Sequence, residues 1–261
     1  MITRKFVSVP EGTIHCAIAG TGRAVLLLHQ TPRSWDEYRD VLPILGQHCQ
    51  AIAMDTIGYG DSSRPPIGND SIEYWAQVAI SLLDALGIER VTVVGHHTGA
   101  VIATELAAIH PQRVEAAVLS ACPLIDAKRR AAHAGPSRVD NVVRRSDGSH
   151  LGQLWAIRQP WYPPGDIDLL ERFIVDAIKA GPRAAGGHAV CARYAMETRL
   201  PKITCPVLIV APANDPHSYP AARPLAALIP GSRVIEVAGG MVPLPDQLPE
   251  QFARLVLDFM G

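Results

Sequence analysis

Residues 91–108 constrain this chain more than any other stretch. Val91-Thr92-Val93-Val94 is a β-branched run, Gly95-His96-His97-Thr98-Gly99 follows, and Ala100 to Ala108 is apolar at helical spacing. β-Branched residues favour a strand. Glycines on both sides of the His-His-Thr turn carry no Cβ, so strand and helix can approach closely. A sharp strand-to-helix turn of this kind lifts one side chain above the sheet edge, where an enzyme commonly carries a Ser, Cys or Asp nucleophile. Here the lifted residue is His97.

The flanking sequence supplies a sheet for that turn. Residues 6–9 and 13–19 read as a hairpin about Pro10-Glu11-Gly12, and Ala24 to Leu28 is a continuous apolar run suited to a strand buried on both faces. Trp35 to Leu45 has helical spacing, Gln50 to Met54 reads as a strand, and Ser71 caps a predicted helix reaching about Gly87. Further strands are expected at Val114 to Ser120, Cys205 to Ala211 and Arg233 to Val237, with a closing helix from Gln251 to Met260. Alternation of strands and helices predicts an α/β fold with a mostly parallel, doubly wound sheet. The character changes between Leu124 and Lys202, which is helical and rich in Arg and Trp, with its clearest helix at Asp166 to Ala180. The predicted organisation is therefore a core of residues 1–123 and 203–261, with a helical lid at 124–202 over the carboxyl ends of the strands.

Composition excludes several classes. The net charge of −1 offers no basic surface for nucleic acid or anionic membrane. No run approaches the ~18 apolar residues of a membrane span. The amino terminus lacks an apolar signal core, and the five cysteines are widely spaced with no C-x-x-C. Both features predict a cytoplasmic protein with reduced thiols and no zinc site. Neither a metal nor an organic cofactor is expected; the expected partner is a small-molecule substrate, and the expected state a monomer or homodimer.

Taken together, Gly20-Thr21-Gly22 before Leu26-Leu27-Leu28-His29, the loop Asp55-Thr56-Ile57-Gly58-Tyr59-Gly60-Asp61-Ser62, the elbow at Gly95 to Gly99, His110-Pro111-Gln112-Arg113-Val114, and Pro206 to Val210 with Asp215 resemble the α/β-hydrolase-fold superfamily in its small, lidded form. The resemblance covers residues 8–123 and 203–260. It puts the nucleophile at His97 and the orienting acid at Asp215. The usual Gly-His-x-Pro becomes Gly240-Met241-Val242-Pro243, so Met241 stands where the catalytic histidine is expected. The usual His-Gly-x-Pro becomes His29-Gln30-Thr31-Pro32, and the backbone amides of Gln30 and Thr98 are the expected oxyanion hole.

A Ser–His–Asp acyl-enzyme mechanism lacks both hydroxyl and imidazole at the required places and is rejected. An imidazole on the elbow instead predicts a dyad in which Asp215 orients His97, a general base for water activation or proton transfer. The expected substrate is a small carbonyl-containing or aromatic metabolite. A lyase or decarboxylase on the same fold, and a non-catalytic ligand-binding pseudo-hydrolase, remain alternatives. Other residues expected at the pocket are His29, Arg33, Ser34, Trp155, His217 and Met241, with His217 a substitute source of imidazole. Asp126 is read as a helix cap, and His96, Asp55 and Ser62 as structural.

Overall fold

The computed structural model describes residues 1–66, 68–135 and 139–261. The chain begins with the antiparallel hairpin of β1 (Thr3–Val9) and β2 (Gly12–Ala19). It continues through β3 (Ala24–Leu28), α1 (Leu42–Leu45), β4 (Gln50–Met54), α2 (Ile72–Ala85), β5 (Val91–His96), α3 (Thr98–Ile109) and β6 (Val114–Ser120). A helical insert follows, made of α4 (Ala127–Ala132), α5 (Ser149–Arg158), α6 (Ile167–Ala180) and α7 (Arg183–Arg193). Then come β7 (Val207–Pro212), α8 (Ala222–Ala227), β8 (Arg233–Val237), α9 (Leu244–Gln247) and α10 (Pro249–Met260).

The strands form one sheet in the order β1-β2-β4-β3-β5-β6-β7-β8. β1, β2 and β4 are joined by antiparallel pairing, and every other neighbouring pair is parallel. Alternation along β3 sends Leu26 and Leu28 to one face, against Trp75, Leu82, Val101 and Leu106 of α2 and α3. Val25 and Leu27 face Leu42 and Leu45 of α1 and Phe252 and Val256 of α10. The insert adds a small apolar core of its own, with Tyr162 and Phe173 fully buried beside Leu154, Leu169 and Leu170.

Local signals account for the element ends. The Ser71 hydroxyl accepts the Tyr74 amide at 3.0 Å and starts α2, and the Asp126 carboxylate accepts the Arg129 amide at 2.7 Å and starts α4. The single helix predicted over Trp35 to Leu45 is instead a 3-10 turn at Trp35–Tyr38 followed by the short α1. Pro43 has no amide hydrogen to give to a preceding turn, so the helix cannot run through it.

The tightest packing in the sheet lies where α3 begins. A Cβ at Gly99 would collide with the Leu28 carbonyl, and one at Gly95 with the backbone of Gly99 and Ala100. Gly152 in α5 meets nothing within 4 Å. Gly99→Ala is therefore expected to lower stability in urea by at least the ~1–3 kcal/mol of overpacking. Gly152→Ala should raise it by ~0.5–1 kcal/mol through helix propensity alone.

Candidate active site

The parallel strands deliver four loops to one edge of the sheet: residues 29–37 after β3, the turn at His97 after β5, the loop at Ala121 after β6 and residues 213–218 after β7. His97 sits in the turn with φ 46° and ψ −111°, a conformation that side-chain-bearing residues rarely adopt. Its amide donates to the Ser120 carbonyl at 3.0 Å, while its carbonyl accepts the Ala100 and Val101 amides at 3.0 and 3.2 Å. The turn is thus fixed on both sides, and the imidazole stands above it, about one-sixth exposed.

The ring reaches Asp215. Nε2 lies 2.9 Å from Asp215 Oδ2, and Asp215 is fully buried. The N–H direction departs from the line to that oxygen, so the contact is a close approach more than an aligned hydrogen bond. Asp215 also accepts the His217 amide on Oδ1, at 2.9 Å, and the Ser218 hydroxyl on Oδ2. Burial alone would raise its pKa. The neighbouring imidazole and these donors outweigh that and hold the carboxyl far below the usual range. An ionised carboxylate can only accept, so Nε2 is the ring nitrogen that presents a proton to it. Among the described residues Nε2 is a buried ring nitrogen with no aligned hydrogen bond.

His96, directly before, is buried and neutral. Its Nε2–H donates to the Val242 carbonyl at 2.7 Å, so its Nδ1 accepts the Ser120 hydroxyl at 2.9 Å. Burial drives its pKa well down. Its ring meets that of His97 edge-on at 4.8 Å. Asp55 is a structural hub, accepting the Trp35 amide at 2.7 Å and the Asp61 amide at 2.7 Å, and His15 at 2.8 Å. His15, Asp55 and Asp61 bring ligating atoms within 4.8 Å of one another, the sole such group among the described residues. Arg4 fills the other nitrogen of His15, and Arg4 and Lys179 pair with Asp61, so those donors are already engaged.

Four expected pocket residues need correction. The Gln30 amide donates to Glu37 Oε2 at 2.8 Å and its side chain to Oε1 at 2.6 Å, so its donor is taken and does not serve the oxyanion hole. The next residue, Thr31, stands with its hydroxyl 3.0 Å from that of Thr98. Among the described residues the amides of Thr31 and Thr98 meet no protein acceptor. His29 is buried, donating from Nδ1 to the Gln30 carbonyl at 2.7 Å and accepting the Thr56 amide on Nε2 at 2.9 Å. Arg33 is fully buried among Asp176, Asp246 and Asp36, and the Ser34 hydroxyl donates to Asp176. Neither is free to meet a substrate.

Of the remaining three, Met241 and Trp155 line one cavity and His217 lies outside its lining. Met241 is bracketed by Gly240, whose carbonyl accepts the Asn214 amide at 2.8 Å, and by Val242, bonded to His96. It lines a cavity of about 260 Å³ with Trp155, Tyr162, Pro163 and Leu170 of the insert. The His217 ring is exposed and packs edge-on to Trp161 at 4.6 Å; it makes no contact with Asp215 through its nitrogens. Ser218, Glu37 and Asp176 were not singled out by sequence. Ser218 is three residues past Asp215, which is the spacing of a local hydroxyl-to-carboxylate turn.

The model of the α/β hydrolase fold family matches residues 23–240. The rat bifunctional epoxide hydrolase 2 is 34% identical over 127 residues, 48% of this chain and 23% of that protein. The 2-hydroxymuconate semialdehyde hydrolase of Pseudomonas sp. (strain CF600) is 36% identical over 104 residues, 39% of this chain and 37% of that one. The chain thus spans well under half the length of these curated relatives. Among solved structures, a hydrolase from Pseudomonas aeruginosa PA01 superposes with a TM-score of 0.82 at 25% identity, covering 99% of this chain and 98% of the other.

The Asp215 carboxyl titrates below its unfolded value of ~3.9, so its pairing stabilises the fold fully above that pH and loses effect as pH falls toward the depressed folded value. Between pH 7 and pH 3 the wild type should lose about 1 kcal/mol more urea stability than Asp215→Asn. Equal losses would mean that the pair does not form.

Proposed function

The chain belongs to the α/β-hydrolase-fold family, and on that premise we propose that it is an enzyme acting on a small carbonyl-containing or aromatic metabolite, with His97 as general base and no acyl-serine intermediate. One observation carries this reading: the elbow is kept, strained and intact, and the imidazole on it brings Nε2 to 2.9 Å from a buried carboxylate. That is the arrangement of a base oriented from behind.

In the hydrolytic form, Nδ1 takes a proton from water as its oxygen attacks the substrate carbonyl. Asp215 stabilises the imidazolium, and the amides of Thr31 and Thr98 receive the developing oxyanion. The imidazolium then returns the proton to the leaving oxygen. In the proton-transfer form, Nδ1 removes a proton beside the carbonyl and the same amides hold the enolate. The insert acts as a lid, and the cavity beside Met241 takes the apolar part of the substrate. The hydrolase names of the relatives support small-molecule turnover, and the missing hydroxyl separates this chain from a serine mechanism.

The second reading, a ligand-binding protein without turnover, draws support from Met241, a thioether that cannot shuttle a proton. A panel of aryl esters and β-diketones, assayed with wild type and His97→Ala, decides between them. Loss of ~10²–10⁴-fold in kcat on the substitution is the expected magnitude for a general base. Unchanged turnover removes His97 from the chemistry, and ligand binding with no turnover in either protein favours the binder. A fluorophosphonate probe should label neither.

A further inference from the structure

The helical insert grips the core at residues 30–37, the loop after β3, through buried polar contacts. Asp176 of α6, 7% exposed, accepts Arg33 Nε–H on Oδ2 and the Ser34 hydroxyl on Oδ1, both at 2.8 Å. Arg33 shows no exposed surface, and its other nitrogens reach Asp246 and, at 3.4 Å, Asp36. Arg172, one turn before Asp176 on α6, extends the same cluster to Asp36 at 2.7 Å and Asp246 at 2.8 Å. The Ser34 hydroxyl also accepts the Asp36 amide at 3.3 Å, so its proton is directed to Asp176.

The next insert helix touches the same loop. A Cβ on Gly187 of α7 would come within 2.6 Å of Thr31 Cγ2 and 2.7 Å of Thr31 Cβ. A glycine inside a helix costs stability, and here it allows the α7 backbone to rest against the Thr31 side chain. From Gln30 to Ser34 the loop is therefore held by separate contacts: Gln30 by Glu37, Thr31 by Thr98 and Gly187, Arg33 and Ser34 by Asp176. Two of the gripping residues belong to the insert. Nothing in the proton chemistry at His97 uses Arg33 or Asp176.

We propose that Asp176 is a positioning residue: by holding Arg33 and Ser34 it couples closure of the lid to placement of the Thr31 amide. This rests on the reading of Thr31 and Thr98 as the oxyanion pair. With Asp176 seated, the loop presents the amide in a fixed place. With the lid lifted, Arg33 and Ser34 lose their acceptor and the loop relaxes, so the site is assembled only when closed around substrate. An acceptor-only side chain is needed, because both groups facing it are donors.

Asp176→Asn and the milder Ser34→Ala test this. Backbone hydrogen exchange is followed over residues 29–36 and, as reference, over β5 and β6, and kcat and KM are measured on the ester and β-diketone panel. Exchange over 29–36 should rise by about tenfold or more in Asp176→Asn with the reference strands unchanged. The turnover number should fall by roughly tenfold to hundredfold, the scale of a misplaced oxyanion donor, with KM altered less than about threefold. Ser34→Ala should move both readouts in the same direction by less, and the double variant little beyond Asp176→Asn. Unchanged exchange over 29–36, or unchanged kcat with faster exchange, overturns the proposal. Should wild type turn over nothing on the panel, the catalytic reading fails by itself, and the exchange data still decide whether Asp176 orders the loop.

Discussion

At the start of α3, the Gly99 backbone passes against the Leu28 carbonyl, leaving no room for a side chain. That approach fixes how the β5 strand turns into its helix, and the turn fixes His97 at a positive φ. Strain of this kind costs on the order of 1–3 kcal/mol and persists only where the surroundings over-determine it. Here they do: the Ser120 carbonyl and the first amides of α3 hold the peptide on either side. The same contact ties the end of β3 to the elbow, so the loop carrying Thr31 and the turn carrying Thr98 are placed by one piece of packing.

Two buried aspartates show how the environment divides the labour of charge. Asp215 and Asp246 are both enclosed, and enclosure pushes both carboxyls up. At Asp215 an imidazole, a hydroxyl and an amide reverse the effect. At Asp246 burial prevails over Arg33 and Arg172, and its pKa rises to about 6. Glu37, deeper in the same cluster, is pushed up to about 8 while its oxygens face the two donors of Gln30. The cluster that joins insert to core is thus poorly suited to carrying its full negative charge, whereas the acid behind His97 stays ionised over the whole physiological range.

Much of the fold was legible because its signals are local. β-Branched and apolar runs marked β3, β4, β6 and β8 at their observed limits, and Ser71 and Asp126 announced their helices by side-chain chemistry alone. The meeting of His97 with Asp215 was legible from the longer reach of an imidazole placed where a shorter side chain is usual. What escaped was set by partners far along the chain. Gln30 gives up its amide because Glu37 turns back over it, and Arg33 and Ser34 vanish inside because Asp176, more than 140 residues away, arrives on α6. The choice between two adjacent amides depends on the orientation of one peptide plane, which no periodicity encodes. Pro43 sits in the first turn of α1, where a missing amide hydrogen is tolerated, and so marks a new start inside the helix predicted over Trp35 to Leu45.

Met241 carries a consequence that concerns isotopes rather than shape. A thioether has no exchangeable hydrogen, and its backbone neighbours are bonded to the loops of Asp215 and His96 on either side. On the reading of His97 as base, a proton drawn from a bound molecule has no second imidazole at Met241 to pass to, and it stays on one nitrogen. That nitrogen can give the hydrogen back to the face it left before solvent reaches it. On that reading, label taken from a substrate can return to it only from His97, in competition with exchange of the ring proton into water.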